Sequence, residues 1–293
     1  MTFEQLSIFV AVAERQHLTR AAQAIGLTPS AVSASIKALE AFYGVRLFER
    51  VGRGIELTQA GRLFLPEAKA TLARANAAAI VLSELGALKR GVLEICASQT
   101  IASYWLPQRL MRFHEIYPDV ELRLALGNTR IATQSVLEGS AEIGFVEGTI
   151  DEPALTTTHL ADDQMVVVVA ADNPIADRRI TDIGQFIAET SWVMREKGSG
   201  TRSEFEAALA SLSCDPAALS IAFDLPSNEA VLHALEDSRS AAAVSRIAAA
   251  AMIDSGKLRV IDIALPTRAF MAVRHKERRE SAAARELRKI CTL

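Results

Sequence analysis

Two short stretches carry residue types whose spacing could do chemistry. In Arg195-Glu196-Lys197-Gly198-Ser199-Gly200-Thr201-Arg202, two glycines permit a backbone nest, Ser199 and Thr201 supply hydroxyls, and Lys197 and Arg202 add positive charge. That combination suits a small anion; the competing reading is a tight loop whose glycines serve geometry alone. Between Thr28 and Tyr43, Val32, Ile36 and Leu39 recur at helical spacing, while Ser30, Ser33, Ala34 and Lys37 occupy the other face. A face of short or basic side chains can lie in a major groove without repelling phosphate. An ordinary helical pair in a core would share the same apolar stripe.

Catalytic chemistry finds little support. His17, His114, His159, His233 and His275 lack a metal-ligand spacing such as HExxH, and Ser98, Ser199 and Ser245 lack a G-x-S-x-G elbow. Asp162-Asp163 reads as a solvated loop pair, and no glycine fingerprint for a nucleotide is present. The expectation is a protein with no catalytic residues, no metal and no cofactor. Cys96, Cys214 and Cys291 are odd in number and far apart, which reads as reduced thiols in a cytoplasmic protein. A redox-sensing pair would need exposure and nearby positive charge, whereas Cys96 sits in an apolar strand pattern.

The elements that must position these residues divide the chain. A length of 293 residues favours two or three domains. The net charge of −3 separates into 11 Lys+Arg against 7 Asp+Glu over residues 1–90, or +4, and 21 against 28 over residues 91–293, or −7. Basic charge thus gathers at the end that holds the groove-compatible helix. The start, MTFEQLSIFVAVAERQ, carries Glu4 and Glu14 in a helical period and no basic n-region, and no run approaches a membrane span.

Phe3, Leu6, Phe9, Val10 and Ala13 stripe a first helix with Thr2 as its cap. Leu18, Ala21, Ala22 and Ile25 stripe a second, with Thr19 as a candidate cap and Gly26 as its end. Thr28 caps a third with Pro29 at the first helical position, and Gly44 closes it. Val45 to Arg50 and Gly54 to Thr58 read as two strands of a wing around Val51-Gly52-Arg53, where Arg50 and Arg53 suit phosphate or minor-groove contact. A solvated hairpin is the bland alternative.

Thr58 then caps a helix predicted to run to about Lys89, kinked near Pro66. Leu65, Ala68, Leu72, Ala75, Ala79 and Leu82 form a heptad seam that one small domain should not be able to bury, so the helix is expected to be linker and dimer interface together. From Val92 onward strand-like runs alternate with helical stripes: Val92 to Ala97, Val120 to Leu126, Glu142 to Glu147, Met165 to Ala170, Ser191 to Met194, Ala241 to Val244, Leu258 to Ile263 and Ala269 to Arg274. The stripes include Leu106, Leu110, Phe113 and Phe205, Leu209, Leu212. This pattern predicts an α/β architecture around parallel sheets.

The segment TRAAQAIGLTPSAVSASIKALEAFYGVRLFERVGRGIELTQAG resembles the N-terminal signature of LysR-type transcriptional regulators, and ASQTIASYWLPQRLMRFHEIYPDVELRLALGN resembles the start of that family's effector-binding domain. The resemblance implies a winged helix-turn-helix domain over 1–58, a linker and dimerisation helix over 59–90, and an effector-binding domain over 91–293. It further implies that this last domain has two Rossmann-like subdomains of periplasmic-binding-protein type, about 91–162 with 266–293 and about 163–265. DNA contact would fall to Thr28, Pro29, Ser30, Ser33, Ala34, Lys37, Arg50 and Arg53. The partners implied are double-stranded promoter DNA with an inverted repeat, a small-molecule effector, RNA polymerase, and further copies of the chain as a homodimer and homotetramer. The recognition helix departs from the common pattern: Pro29-Ser30 stands where many members carry Gln-Pro, and Ala34 where a long side chain often follows. Bidentate base reading needs Arg, Lys, Asn or Gln, so DNA shape and A·T-rich steps should matter strongly.

In the implied fold a ligand lies where strand ends meet helix N-termini of both subdomains. Ser98-Gln99-Thr100, Gly127-Asn128-Thr129, Glu147-Gly148 and Arg195 to Arg202 qualify, giving Ser98, Gln99, Thr100, Asn128, Glu147, Gly198, Ser199, Gly200, Thr201 and Arg202 as effector-site candidates. Asn228 either faces the same cleft or caps the helix after it. The ASQTI and GSGTR stretches are similar to the branch that includes regulators of sulfur assimilation and autotrophic carbon fixation. An inorganic sulfur oxyanion, or a short carboxylate or phosphate metabolite, is the expected effector. The alternative function is a solute-binding or sensor protein whose output is not DNA binding.

Replacing Lys37 or Arg53 with alanine is expected to weaken DNA binding. If each contacts phosphate, the slope of log affinity against log salt should fall by about one per residue; an unchanged slope in anisotropy titrations would assign that residue another role.

Overall fold

The computed structural model describes residues 1–51, 54–85, 91–178 and 180–292, the side chains of 76, 77 and 79–85 excepted. Contacts divide the chain into two units, Met1–Gly86 with Glu138–Ser140, and Ala87–Leu137 with Ala141–Leu293.

In the first unit, α1 (Phe3–Arg15) opens on a capping box: Gln5 N donates to Thr2 Oγ1 at 3.1 Å and Thr2 N to Gln5 Oε1 at 3.0 Å. The helix α2 (Leu18–Ala24) starts one residue before the predicted cap. His17 is extended there and its Nδ1 accepts from Arg20 N at 3.4 Å, so Thr19 lies inside the first turn. Gly26 at φ 69° turns the chain toward α3 (Pro29–Tyr43), where Thr28 Oγ1 accepts from Ala31 N at 3.2 Å. Gly44 at φ 65° closes α3. Phe9 is fully buried, its ring 5.3 Å from that of Phe48 and 4.9 Å from that of Phe64, among Val12, Ala21, Ala22 and Val32.

The strands β1 (Phe48–Val51) and β2 (Gly54–Leu57) pair antiparallel, Phe48 opposite Leu57. The first is shorter than predicted because Glu40 of α3 takes the preceding amides: its Oε1 accepts from Leu47 N at 2.7 Å and Phe48 N at 3.1 Å. One carboxylate therefore fixes the ribbon to the helix that precedes it. The helix α4 (Gln59–Leu85) is capped by Thr58, whose Oγ1 accepts from Gly61 N at 3.0 Å, and runs unbroken through Pro66. A Cβ on Gly61 would lie 2.1 Å from the Leu47 carbonyl oxygen, so helix and ribbon meet backbone to backbone. Contrary to the expectation for the seam, Ala68 is fully buried in the core of this unit and Leu65 and Leu72 pack against it. The first half of the seam is spent locally; the side chains of Ala79 and Leu82, and the extension to Lys89, lie outside the described residues.

The second unit is α/β, with strand order β4-β3-β5-β11-β6-β9-β7-β8 and β10 on β6. Parallel pairing joins β3 (Gly91–Ser98) to β4 (Val120–Gly127) and β5 (Ile143–Glu147), and β7 (Ser191–Arg195) to β8 (Ser220–Leu225) and β9 (Ala241–Ser245). The sheet is mixed rather than parallel, because β6 (Leu155–Ala170) and β11 (Thr267–His275) run antiparallel through its centre, with β10 (Leu258–Ile261) beside β6. Strand β6 begins ten residues before the predicted Met165, and β8 lies where no strand was predicted. The first half of β6 is threonine-rich and polar, and β8 is an exposed edge whose Ile221, Phe223, Leu225 alternation was the available signal.

Helices flank the sheet: α5 (Leu106–Ile116), α6 (Thr129–Glu138), α7 (Ile183–Glu189), α8 (Gly200–Ser211), α9 (Asn228–Leu235), α10 (Arg246–Asp254) and α11 (Ala282–Cys291). Leu106 and Phe113 are buried on one face of the first sheet half, and Phe205 and Leu209 on the second, as their spacing predicts. The cysteines belong to three different clusters. Burial pushes the Cys291 thiol up to about 12 despite the nearby Arg109, and pushes Cys96 up too, so neither favours the reactive thiolate. Among the described residues no helix is long and apolar enough to cross a membrane.

Glu40→Ala should strand two backbone donors. It is expected to cost about 1.5–3 kcal/mol, the range for bonds to a charged group, and to speed hydrogen exchange at Leu47 and Phe48.

Candidate DNA interface and effector cleft

On α3 the cap Thr28 and the residues Pro29, Ser30, Ala31, Ala34 and Lys37 are exposed, while Ser33 is half-buried. Thr28 Oγ1 and Ser30 Oγ lie 3.0 Å apart, so one hydroxyl of this pair is already engaged when the helix meets a partner. Arg50 is exposed on β1, and neither it nor Lys37 forms an ion pair among the described residues. Arg53 lies outside the described residues. The result is a convex helix with small side chains at its start and a lysine two turns along, beside a ribbon that carries an arginine.

The second unit gathers buried polar residues where strands end and helices begin. Ser98 ends β3 and leads through Gln99 and Thr100 into a π-helical segment, Ile101–Trp105. Glu147 ends β5, Arg195 ends β7 and Ser245 ends β9. Ser98, Gln99, Thr100, Asn128, Glu147, Arg195, Ser199, Thr201, Asn228, Ser245, Asp163 and Arg268 are all buried. So many polar groups out of water require partners, and most of those partners sit on the opposite half of the sheet.

Thr100 Oγ1 lies 3.5 Å from Thr201 Oγ1 and accepts from Asn228 Nδ2 at 3.0 Å. Gln99 Oε1 accepts from Arg195 Nη1 at 3.3 Å, while Gln99 Nε2 donates to Glu229 Oε2 at 2.6 Å. Tyr104 from the π-helical turn donates to the other Glu229 oxygen at 2.9 Å. Asn128 caps α6 by accepting from Ile131 N at 3.0 Å and reaches Glu196 Oε1 at 3.1 Å, which uses both ends of its amide. The Gly198 carbonyl accepts from Arg130 N at 3.2 Å. Gly198 has φ 95°, and a Cβ on Gly200 would stand 2.5 Å from Thr129 Oγ1 and 2.9 Å from Glu147 Oε2, so both glycines are required where the loop meets β5 and α6. Ser199 precedes α8 without capping it, which leaves the first N–H groups of that helix available.

Two expectations change. Arg202 does not offer its charge to the cleft: its guanidinium is held by Glu206 at 2.8 Å, by Asp224 at 2.6 Å and by the Arg195 carbonyl at 3.2 Å. Asp163 is no solvated loop residue. It lies on β6 opposite Arg268 of β11, 3% exposed, accepting from Arg268 Nε at 2.8 Å and Ser245 Oγ at 2.7 Å. Burial drives its carboxyl above the ordinary range, against the opposing pull of Arg268 and Ser245. Arg268 Nη1 donates to Thr201 Oγ1 at 2.9 Å, so this arginine supplies the positive charge expected from Arg202. Arg268, Arg195 and Asn228 complete the set that the sequence reading lacked or left open. Asn228 faces the cleft, and the cap of α9 is Ser227. The missing signal for Arg268 was its place: charge in a strand pattern so close to Asp163 in the implied crossover.

Two family models match the chain: a bacterial regulatory helix-turn-helix protein of the lysR family over residues 3–62, and a LysR substrate binding domain over residues 86–292. A relative in Escherichia coli K12, the uncharacterized HTH-type transcriptional regulator YeiE, is 31% identical over 99% of this chain and 97% of its own. Among solved structures, full-length CbnR complexed with its target DNA is similar with a TM-score of 0.68 at 20% identity, covering 99% of this chain and all (100%) of that one. The CcmR regulatory domain of Synechocystis in complex with 2-PG is similar with a TM-score of 0.62 at 22% identity, covering 69% of this chain and 96% of that one.

Arg268→Met leaves a buried carboxylate without its counter-charge and is expected to cost about 3–5 kcal/mol. Adding Asp163→Leu should recover most of that loss. Thermal melts of the single and double variants check the coupling, which is absent if the two changes simply add.

Proposed function

Because the chain belongs to the LysR family of bacterial transcriptional regulators, we propose that its second unit senses a small anion and that this changes how the first unit engages and bends promoter DNA. The observation that carries this reading is the buried polar cluster shared by both halves of the sheet, with Arg268 and the start of α8 facing Thr100 and Asn228. Helix N-termini and an arginine favour negative charge. The similar CbnR structure holds its target DNA and the similar CcmR regulatory domain holds 2-PG, which supports DNA and a small molecule as the two ligands.

On this reading α3 enters the major groove, Ser30, Ser33 and Lys37 meet base edges, Thr28 and Pro29 approach the backbone, and an Ala34 methyl meets thymine. Arg50 and Arg53 add phosphate or minor-groove contact. The assembly is a homodimer through α4, paired into a homotetramer on an inverted repeat, and its change of shape alters access for RNA polymerase. An effector acts by binding one shape more tightly than the other, since equal affinity shifts nothing. No cofactor is required.

Fluorescence anisotropy of the full chain on the intergenic DNA beside its own gene, with competitor DNA and with or without candidate anions, tests this. Selective binding that one anion changes by about tenfold, a coupling of about 1.4 kcal/mol, is the expected result. Anion binding without selective DNA binding would instead favour a sensor with another output.

A further inference from the structure

Three buried polar atoms have no hydrogen-bond partner among the described residues: Ser98 Oγ, Asn228 Oδ1 and Arg268 Nη2. Their residues are 2%, 0% and 3% exposed. A buried polar atom left unpaired is costly, so two of them linked through Thr100 and Thr201, and a third on the last residue of β3 just before Gln99 and Thr100, point to something that binds there. Their chemistry differs. Arg268 Nη2 can only donate, Asn228 Oδ1 can only accept, and Ser98 Oγ can do either.

The direction of the Asn228 amide follows from its neighbours. Arg195 Nη1 is a donor, so Gln99 must turn its oxygen toward it, while Glu229, an acceptor, must receive the Gln99 nitrogen at 2.6 Å. Gln99 Oε1 therefore receives Asn228 Nδ2 at 2.5 Å and Asn228 N at 2.9 Å. A reversed Asn228 amide would set two oxygens face to face, so Oδ1 is the end left free. Thr100 and Thr201, 3.5 Å apart, link Asn228 to Arg268. Glu147 adds a buried carboxylate whose Oε2 lies beside Gly200 and accepts from Thr129 at 2.9 Å.

Resting on the reading of this cleft as an anion site, we propose that its ligand is an oxyanion that carries a proton. An anionic oxygen takes the hydrogen of Arg268 Nη2, and the ligand's own O–H donates to Asn228 Oδ1. An anion without a hydrogen leaves Asn228 Oδ1 unpaired, so the site disfavours it. The selection works by the proton and not by size or shape.

Two matched pairs of potassium salts test this by calorimetry on the full chain at neutral pH and constant ionic strength: phosphate against sulfate, both tetrahedral, and hydrogencarbonate against nitrate, both planar monoanions. Only the first of each pair carries a hydrogen. The expected result is that the protonated member of at least one pair binds, at least about tenfold tighter than its partner, since sites built to receive a ligand hydrogen discriminate strongly. Sulfate or nitrate binding as tightly as its partner overturns the proton selection and leaves the anion site standing; binding of none of the four overturns both. Ser98→Ala, which removes a hydroxyl with no bond to lose, should melt like the parent and bind the preferred anion several-fold more weakly. Undiminished affinity places the binding elsewhere and overturns the assignment.

Discussion

The ion pair between Asp163 and Arg268 is the constraint on which the second unit depends. It sits in register on the two antiparallel strands by which the chain enters and leaves the second half of the sheet, and both side chains are 1% exposed. Buried charges need partners, and apart from Arg268 Nη2 the bonds that engage this pair come from β9 through Ser245 and from α8 through Thr201. The same pair that makes the crossover electrostatically acceptable thus positions the start of α8, and with it the GSGTR loop. Architecture and candidate site have one anchor.

Much of the fold was legible in residue spacing. Thr2 with Gln5, Thr28 with Pro29, Gly44 and Thr58 each marked a helix end by a local mechanism that needs no tertiary context. Where the reading failed, tertiary contact had overruled the local signal. Glu40 took the amides that Leu47 and Phe48 would have given to a strand, and the first part of the apolar stripe of α4 packs into the core around Phe9 and Phe64, which the small domain was not expected to supply. The first half of β6 was hidden because its exposed face is filled with threonine and charge.

The site divides along similar lines. Loops at strand ends were legible because Gly, Ser, Thr and Asn cluster there, and the structure brings Ser98, Gln99, Thr100, Glu147, Ser199 and Thr201 together with Asn228. Charge was not legible in the same way. Arg202 belongs to the informative motif but is neutralised by Glu206 and Asp224 on its own half of the sheet. Arg268 belongs to no motif, and its one signal was its place beside the implied return crossover near Leu265. Which arginine faces the cleft is decided by strand register, a property that one sequence does not display.

The glycines of the cleft have a consequence for its mechanics. At Gly148 a Cβ would fall 2.1 Å from Glu204 Oε1, and at Gly200 it would fall 3.0 Å from the Glu147 carbonyl. At Gly200 the main chain is packed against the Thr129 hydroxyl and both the side chain and the carbonyl of Glu147, which leaves no room for a Cβ. Such a joint has a hard stop. Closer approach of the two halves at this point is limited by atoms already in place, so any side chain larger than glycine there would hold them further apart.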